Sequence, residues 1–260
     1  MLLADKTVIV SGTGPGLGRE IALAAAREGA NLVLAARREA NLRAVADEVD
    51  ATGKRVAWQV TDITDEAQVT AVAELAATRF GGIDALVNCA ALDTVAGGLE
   101  QTSWDDIRNV METNLVGSLA MTKAALPALR RGGGAVVFVG TQAEMKVAAE
   151  HPQLAYSASK AALRTAAQYL AHEYGKDRVR VNTVAPGWML GPPVEGYLGY
   201  LAEALGTTRE AALAGLEEKM ALPYLASDGD TAEAVVFLAS DRARGITGQT
   251  LLVNAGEYMR

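Results

Sequence analysis

Tyr156 and Lys160 stand four apart in the segment Tyr156-Ser-Ala-Ser-Lys160, a spacing that brings both side chains to one face of a helix. A phenol titrates near ~10 when unperturbed, and a neighbouring ammonium lowers that value by favouring the phenolate. Paired in this way, a tyrosine can give or take a proton near neutral pH. The chemistry that calls for such a group is carbonyl reduction or alcohol oxidation. The spacing alone is common on solvated helices, so its meaning depends on the rest of the chain.

A second group of residues could hold a phosphorylated ligand. Ser11-Gly12-Thr13-Gly14-Pro15-Gly16-Leu17-Gly18 follows the first apolar run and leads directly into a helical pattern. Glycines there allow positive φ and close approach of the backbone to a pyrophosphate, while a helix N-terminus offers free N–H groups and partial positive charge. The spacing is Gly-x-x-x-Gly-x-Gly, which departs from the dinucleotide fingerprint Gly-x-Gly-x-x-Gly. About 20 residues on, where an acid would hold a ribose 2′-hydroxyl, the chain reads Ala35-Ala36-Arg37-Arg38. Two guanidiniums and no acid favour a 2′-phosphate, hence NADP(H), with NAD(H) as the alternative. Arg37 and Arg38 could also simply open a solvated helix.

The elements that must position these groups alternate regularly. Apolar runs rich in Val, Ile and Leu cover 7–10, 31–35, 55–59, 85–88, 135–139, 180–184 and 250–253, with helical patterns at 17–28, 40–51, 66–80, 104–129, 156–174 and 231–240. Continuous apolar strands separated by helices predict an α/β fold, a Rossmann-type doubly wound sheet of seven mainly parallel strands with helices on both faces. No linker divides the chain, so residues 1–260 read as a single domain. The stretch 187–225 breaks the rhythm with Pro192, Pro193 and Pro223, and an insertion beyond a strand's carboxyl end is where such sheets place ligands.

Composition narrows the function classes. Half of the 260 residues are hydrophobic but only 5% are aromatic, and 24 basic against 31 acidic residues give a net charge of −7. That balance argues against a nucleic-acid or anionic-membrane partner. Cys89 is the single cysteine, so no internal disulfide forms, and it reads as a small buried hydrophobe. His151 and His172 lie apart from any ligand cluster, so no metal site is expected. The N-terminus lacks a signal-peptide pattern and no long apolar span occurs, which predicts a cytoplasmic protein.

Five separated motifs together resemble the short-chain dehydrogenase/reductase family, in its form of about 250 residues, over essentially the whole chain. They are Gly12…Gly16-Leu17-Gly18, Asp62-Ile63-Thr64, Asn88-Cys89-Ala90-Ala91, Tyr156-x-x-x-Lys160 and Arg180-Val181-Asn182…Pro186-Gly187. The resemblance implies an NAD(P)-dependent oxidoreductase that interconverts an alcohol and a ketone or aldehyde. Tyr156 is then the general acid/base, Lys160 lowers its pKa and holds the nicotinamide ribose, and Asn114 binds a water of the proton relay. It also implies that Asp62 and Ile63 hold the adenine, that Asn88 stabilises the sheet and lines the cofactor, and that Thr13, Leu17, Ala90, Pro186, Gly187 and Met189 pass along it.

This chain departs from the family pattern in places. The family's polarising Ser is matched by Thr141 in Val139-Gly140-Thr141-Gln142, which keeps a hydroxyl and adds a stiff methyl group. Gln142 or a backbone N–H is the other reading for the group that meets the substrate oxygen. The usual Asn-Asn-Ala-Gly becomes Asn88-Cys89-Ala90-Ala91. Relatives of this fold that eliminate halide from halohydrins commonly carry Arg where Lys160 stands, and a non-catalytic dinucleotide sensor would lose the Tyr–Lys pair; both alternatives are disfavoured.

The substrate pocket is expected from 187–225 and from the loop 144–154. Trp188, Tyr197 and Tyr200, with Met189, Leu190 and Leu201, suggest an apolar wall for a mid-sized, largely apolar alcohol or ketone, although the same residues could be core or interface. His151 is expected on the surface without function. The helical patterns 104–129 and 156–174 carry apolar residues on more than one face, and the resemblance implies a homotetramer or homodimer.

Overall fold

Val8 and Val10 point to one side of the first strand and Ile9 to the other, and all three are buried, as strand alternation demands of a sheet covered on both faces. The computed structural model describes residues 1–147 and 151–259. Nine strands and nine α-helices are defined among them: β1 (Thr7–Ser11), α1 (Leu17–Arg27), β2 (Asn31–Ala36), α2 (Glu39–Asp50), β3 (Val56–Val60), α3 (Glu66–Phe80), β4 (Ala85–Asn88), α4 (Trp104–Met111), α5 (Ser118–Gly132), β5 (Gly134–Val139), α6 (Leu154–Tyr174), β6 (Val179–Pro186), β7 (Met189–Leu190), α7 (Pro192–Leu205), α8 (Arg209–Glu217), β8 (Ala226–Ser227), α9 (Asp228–Ala239) and β9 (Thr250–Val253).

Seven strands form one sheet in the order β3-β2-β1-β4-β5-β6-β9, and every neighbouring pair is parallel. The order reverses direction at β1, between β2 and β4, which creates a crevice at the strands' carboxyl ends. One apolar layer joins Val8, Val10, Leu32 and Leu34 to Ile21 of α1, Leu42 of α2 and Val235 of α9. The other joins Ile9, Val33, Leu86 and Phe138 to Val72 of α3, Met121 of α5 and Leu163 of α6.

Local sequence sets where the helices start. Asp65 accepts from the N–H groups of Ala67 and Gln68 to open α3, and Ser227 and Asp230 form a reciprocal capping box on α9. The single helix expected over 104–129 is instead α4, a π-helical turn over Glu112–Gly117, and α5. The insertion 187–225 contains α7 and α8, which pack through Leu198, Ala212 and Leu216, and β7 and β8 pair as a small second sheet. Pro192 and Pro193 open α7 rather than break it, since a proline's missing N–H is no loss in a first turn. Part of the expected pocket loop, residues 148–150, lies outside the described residues. No helix among the described residues is long and apolar enough to cross a membrane.

Candidate active site

A cleft of about 780 Å³ opens at the carboxyl ends of the strands, and residues following β1 through β6 line it. Gly12, Thr13, Gly16, Leu17, Gly18, Arg37, Arg38, Asp62, Ile63, Ala90, Tyr156, Lys160, Pro186 and Met189 all reach this one cavity. These motifs are scattered over most of the chain. The parallel sheet delivers each to the same edge.

The glycine loop makes a cradle that side chains would fill. Gly12 has φ +95°, and a Cβ there would stand 2.3 Å from the Ala90 nitrogen; a Cβ on Gly18 would stand 2.2 Å from the Gly12 carbonyl oxygen. Gly12 and Thr13 donate their N–H groups to the Ala35 carbonyl at 2.8 and 3.1 Å, and the buried Thr13 hydroxyl donates to Val10. Thr13 therefore shapes the turn with its side chain. No side chain caps the start of α1, which leaves first-turn N–H groups facing the cleft for a pyrophosphate. The cradle fits a dinucleotide.

Arg37 and Arg38 are exposed on the cleft wall at the end of β2, and Arg38 is the residue from which α2 starts. The Asp62 carboxylate accepts from the Thr64 N–H and hydroxyl at 3.0 and 2.7 Å. These bonds, with Arg37 nearby, hold it below the usual carboxylate range. Asp62 does not cap a helix; Asp65 does. Ile63 is buried against Gly117, where a Cβ would strike its side chain at 2.7 Å.

The Tyr–Lys pair sits on α6 because Ala155, Ser159, Leu163, Ala167 and Ala171 repeat every fourth residue as the buried stripe. Lys160 adjoins that stripe and is only 1% exposed. Its Nζ donates to the Val139 carbonyl at 2.7 Å and lies 5.8 Å from the centre of the Tyr156 ring. Burial lowers the Lys160 pKa to about 8, against the upward pull of Cys89, Glu144 and Asp93. Burial raises Tyr156 above its ordinary value; Asp93 adds to this, and a hydrogen bond with the Thr141 hydroxyl works the other way. The phenol is thus raised by desolvation in the protein alone rather than depressed as its spacing from Lys160 led one to expect.

Several expected residues are engaged elsewhere. Asn88 is buried and donates to the Thr122 hydroxyl at 3.1 Å, so it ties β4 to α5 and does not line the cleft. Asn114 is fully buried in the π-helical turn, where it accepts from Leu92 N–H at 2.7 Å and donates to Leu92 carbonyl and Ser159 Oγ. Gln142 donates to Glu257 and accepts from Asn254, and it is not among the residues lining the cleft. Gly187 packs on Asn254, with a virtual Cβ at 2.7 Å. Trp188 stacks on Tyr197 at 5.1 Å, and Tyr197 approaches Tyr200 at 6.5 Å, beside the cleft rather than on its wall. His151 joins them, 5.3 Å from Tyr197 and 6.2 Å from Trp188, and is part-buried rather than fully on the surface.

The cleft also contains residues that sequence reasoning passed over. Asn41, Leu92, Asp93, Asn109 and Glu112 line it, as does Asp228 from the first turn of α9. Cys89 lines it too, half-buried, and burial pushes its thiol up to about 11. Ser159, between Tyr156 and Lys160, donates to the Tyr156 carbonyl at 2.7 Å while accepting from Asn114. A serine amid small residues carried no signal; its partner in a π-helical turn could not be read from spacing.

A parallel sheet with a glycine cradle between its central strand and first helix defines the Rossmann class of dinucleotide-binding proteins. The family model described as enoyl-(acyl carrier protein) reductase matches residues 12–257. L-fucose dehydrogenase of Bos taurus is 33% identical over 253 residues, 97% of this chain and 89% of that protein. The 3-oxoacyl-(acyl-carrier-protein) reductase FabG of Escherichia coli strain K12 is 32% identical over 262 residues, with all of both chains covered. The structure of L-sorbose reductase from Gluconobacter frateurii, complexed with NADPH and L-sorbose, superposes with a TM-score of 0.91 at 28% identity, covering 99% of this chain and 98% of that one. The chain belongs to the short-chain dehydrogenase/reductase family and is an NAD(P) oxidoreductase acting on CH–OH groups.

Proposed function

We propose that the chain interconverts a mid-sized, largely apolar alcohol and its ketone or aldehyde, with Tyr156 as general acid/base and NADP(H) favoured over NAD(H). The observation that carries this reading is the buried Lys160 beside Tyr156 on the wall of the cleft that the glycine cradle opens into. The dinucleotide supplies or accepts the hydride when bound. Tyr156 gives or takes the substrate proton at its phenol oxygen, and the Thr141 hydroxyl, close enough to pull the phenol's pKa down, orients the reacting oxygen. Lys160 adds positive charge that favours the phenolate as the proton leaves.

Selectivity for NADP(H) is supported by Arg37 and Arg38, neither of which has an ion-pair partner among the described residues, and by the absence of an acid at that turn. NADPH is also the dinucleotide in the L-sorbose reductase complex. The apolar character of the substrate is supported by the aromatic group of Trp188, Tyr197 and Tyr200 beside the cleft. A homotetramer, ahead of a homodimer, is supported by the exposed Trp104, Val116, Leu154 and Tyr169 along α4 to α6 and by exposed Leu251 on β9. Light scattering checks it, and a monomeric mass at micromolar concentration overturns it.

Replacing Tyr156 with Phe tests the chemistry. Turnover of alcohols and ketones, followed by the absorbance of the reduced nicotinamide, should fall by ~10²–10⁴-fold, while dinucleotide binding is retained. A Tyr156→Phe enzyme that keeps most of its activity would sink the mechanism.

A further inference from the structure

The short turn after β5 folds Glu144 back beneath the strand end. Its side chain is 0% exposed, and the Arg164 Nε lies 3.2 Å away on a side chain 22% exposed. Among the described residues, neither Glu144 oxygen nor the Arg164 Nε has a hydrogen-bond partner. A Cβ on Gly140 would stand 3.1 Å from Glu144 Oε2. Gly140 directly follows Val139, whose carbonyl holds the Lys160 ammonium. On α6, Tyr156, Lys160 and Arg164 are spaced four and four, on one face of the helix.

A buried ion pair contributes little to stability unless its remaining hydrogen-bonding capacity is satisfied, and this one leaves it unsatisfied. The arrangement has a clearer electrostatic consequence for Lys160, which is buried with one hydrogen bond. The groups facing Lys160 are Cys89 and Asp93 from beyond β4, Glu144 from beyond β5, and Tyr156 from its own helix. Glu144 in turn faces Arg164 and Lys160. Arg164 favours the charged carboxylate against its burial, and the ionised carboxylate opposes the desolvation of Lys160.

We propose that Glu144, held by Arg164, is a positioning residue for the Tyr156–Lys160 pair: it is the buried counter-charge that keeps the Lys160 ammonium protonated at working pH. This rests on the proton-transfer role assigned to that pair above. Burial pushes Glu144 up to about 7 and Lys160 down to about 8, so each charge depends on the other across the neutral range. A negative Glu144 raises the Lys160 pKa, so neutralising it moves the loss of the ammonium to lower pH.

Competitive acetylation with acetic anhydride across pH, read on the Lys160 peptide by mass spectrometry, measures that pKa without any turnover. In Glu144→Gln the Lys160 midpoint should fall by roughly one unit, and the alkaline limb of kcat/KM should move the same way. The double variant Glu144→Met with Arg164→Met replaces the pair with unbranched apolar side chains that fill most of the same space. It should show a smaller fall in the same direction, because the Arg164 charge is removed with the carboxylate. A Lys160 midpoint left at its wild-type value in whichever of these variants folds overturns the proposal. The acetylation result stands apart from the Tyr156→Phe test, so failure of the proposed reaction and failure of the Glu144 role are told apart.

Discussion

Gln142 donates its side-chain amide to the Glu257 carboxylate at 2.6 Å, joining positions 115 residues apart. Asn254 completes the tie by donating to Gln142 Oε1 at 2.5 Å, and Lys146 pairs with Glu257 at 2.8 Å. The turn that begins at Thr141 is therefore clamped by the segment following β9. The Thr141 hydroxyl thus depends for its position on residues near the C-terminus.

Removing the clamp should cost both stability and turnover. Glu257 is 5% exposed at its side chain, and Glu257→Ala leaves Gln142 and Lys146 without their acceptor, a loss of about 1–3 kcal/mol. Urea denaturation should report that loss, and kcat should fall because Thr141 is freed. Unchanged stability together with unchanged kcat would show that the clamp does not matter.

The cradle at Gly18 leaves no room for a methyl group, with its virtual Cβ at 2.2 Å from the Gly12 carbonyl. Gly18→Ala should push the loop apart and weaken dinucleotide binding by at least ~10-fold, about 1.4 kcal/mol, while far-ultraviolet circular dichroism keeps the wild-type shape. Nicotinamide fluorescence titration measures the affinity. Wild-type affinity in Gly18→Ala would mean that the loop is not the pyrophosphate site.

The seven sheet strands were legible because strands buried on both faces are continuous apolar runs bounded by polar turns, and their boundaries agree within two residues. The cleft-lining glycines and the Tyr156–Lys160 face were legible because backbone approach and helical spacing restrict residue type. What escaped depends on long-range partners. The π-helical turn around Asn114 is a change of hydrogen-bond register with no hydrophobic period of its own. Gln142 looked free for a substrate until the chain's far end took both of its polar atoms. Asp228 lies before the helical pattern at 231–240 with no motif around it, and only the fold brings it to the glycine loop.

The two guanidiniums at the end of β2 make a separable prediction about the dinucleotide. A charge-assisted hydrogen bond contributes ~1.5–3 kcal/mol, so Arg37→Ala or Arg38→Ala should weaken NADPH binding by roughly 10- to 100-fold. NADH affinity should barely change. Parallel titrations decide it, and equal loss for both dinucleotides would reassign the arginines to general loop structure.

Asp228 places a carboxylate where phosphates would approach. A Cβ on Gly16 would stand 3.2 Å from its Oδ2, and one on Gly191 only 2.4 Å, so the acid fills the gap between the cradle and the entry to α7. Burial, with Glu20 nearby, raises its pKa to about 6. Above that pH it is charged and opposes a pyrophosphate; below it the opposition disappears. Asp228→Asn should therefore bind NADH more tightly at pH 7.5 by about fivefold, the equivalent of ~1 kcal/mol for charges a few ångströms apart near water. The advantage should vanish near pH 5, where wild-type Asp228 is itself neutral. NADH is the appropriate probe because it lacks the 2′-phosphate, which titrates in the same range. Equal affinities for wild type and Asp228→Asn at pH 7.5 would place the bound phosphates away from α9.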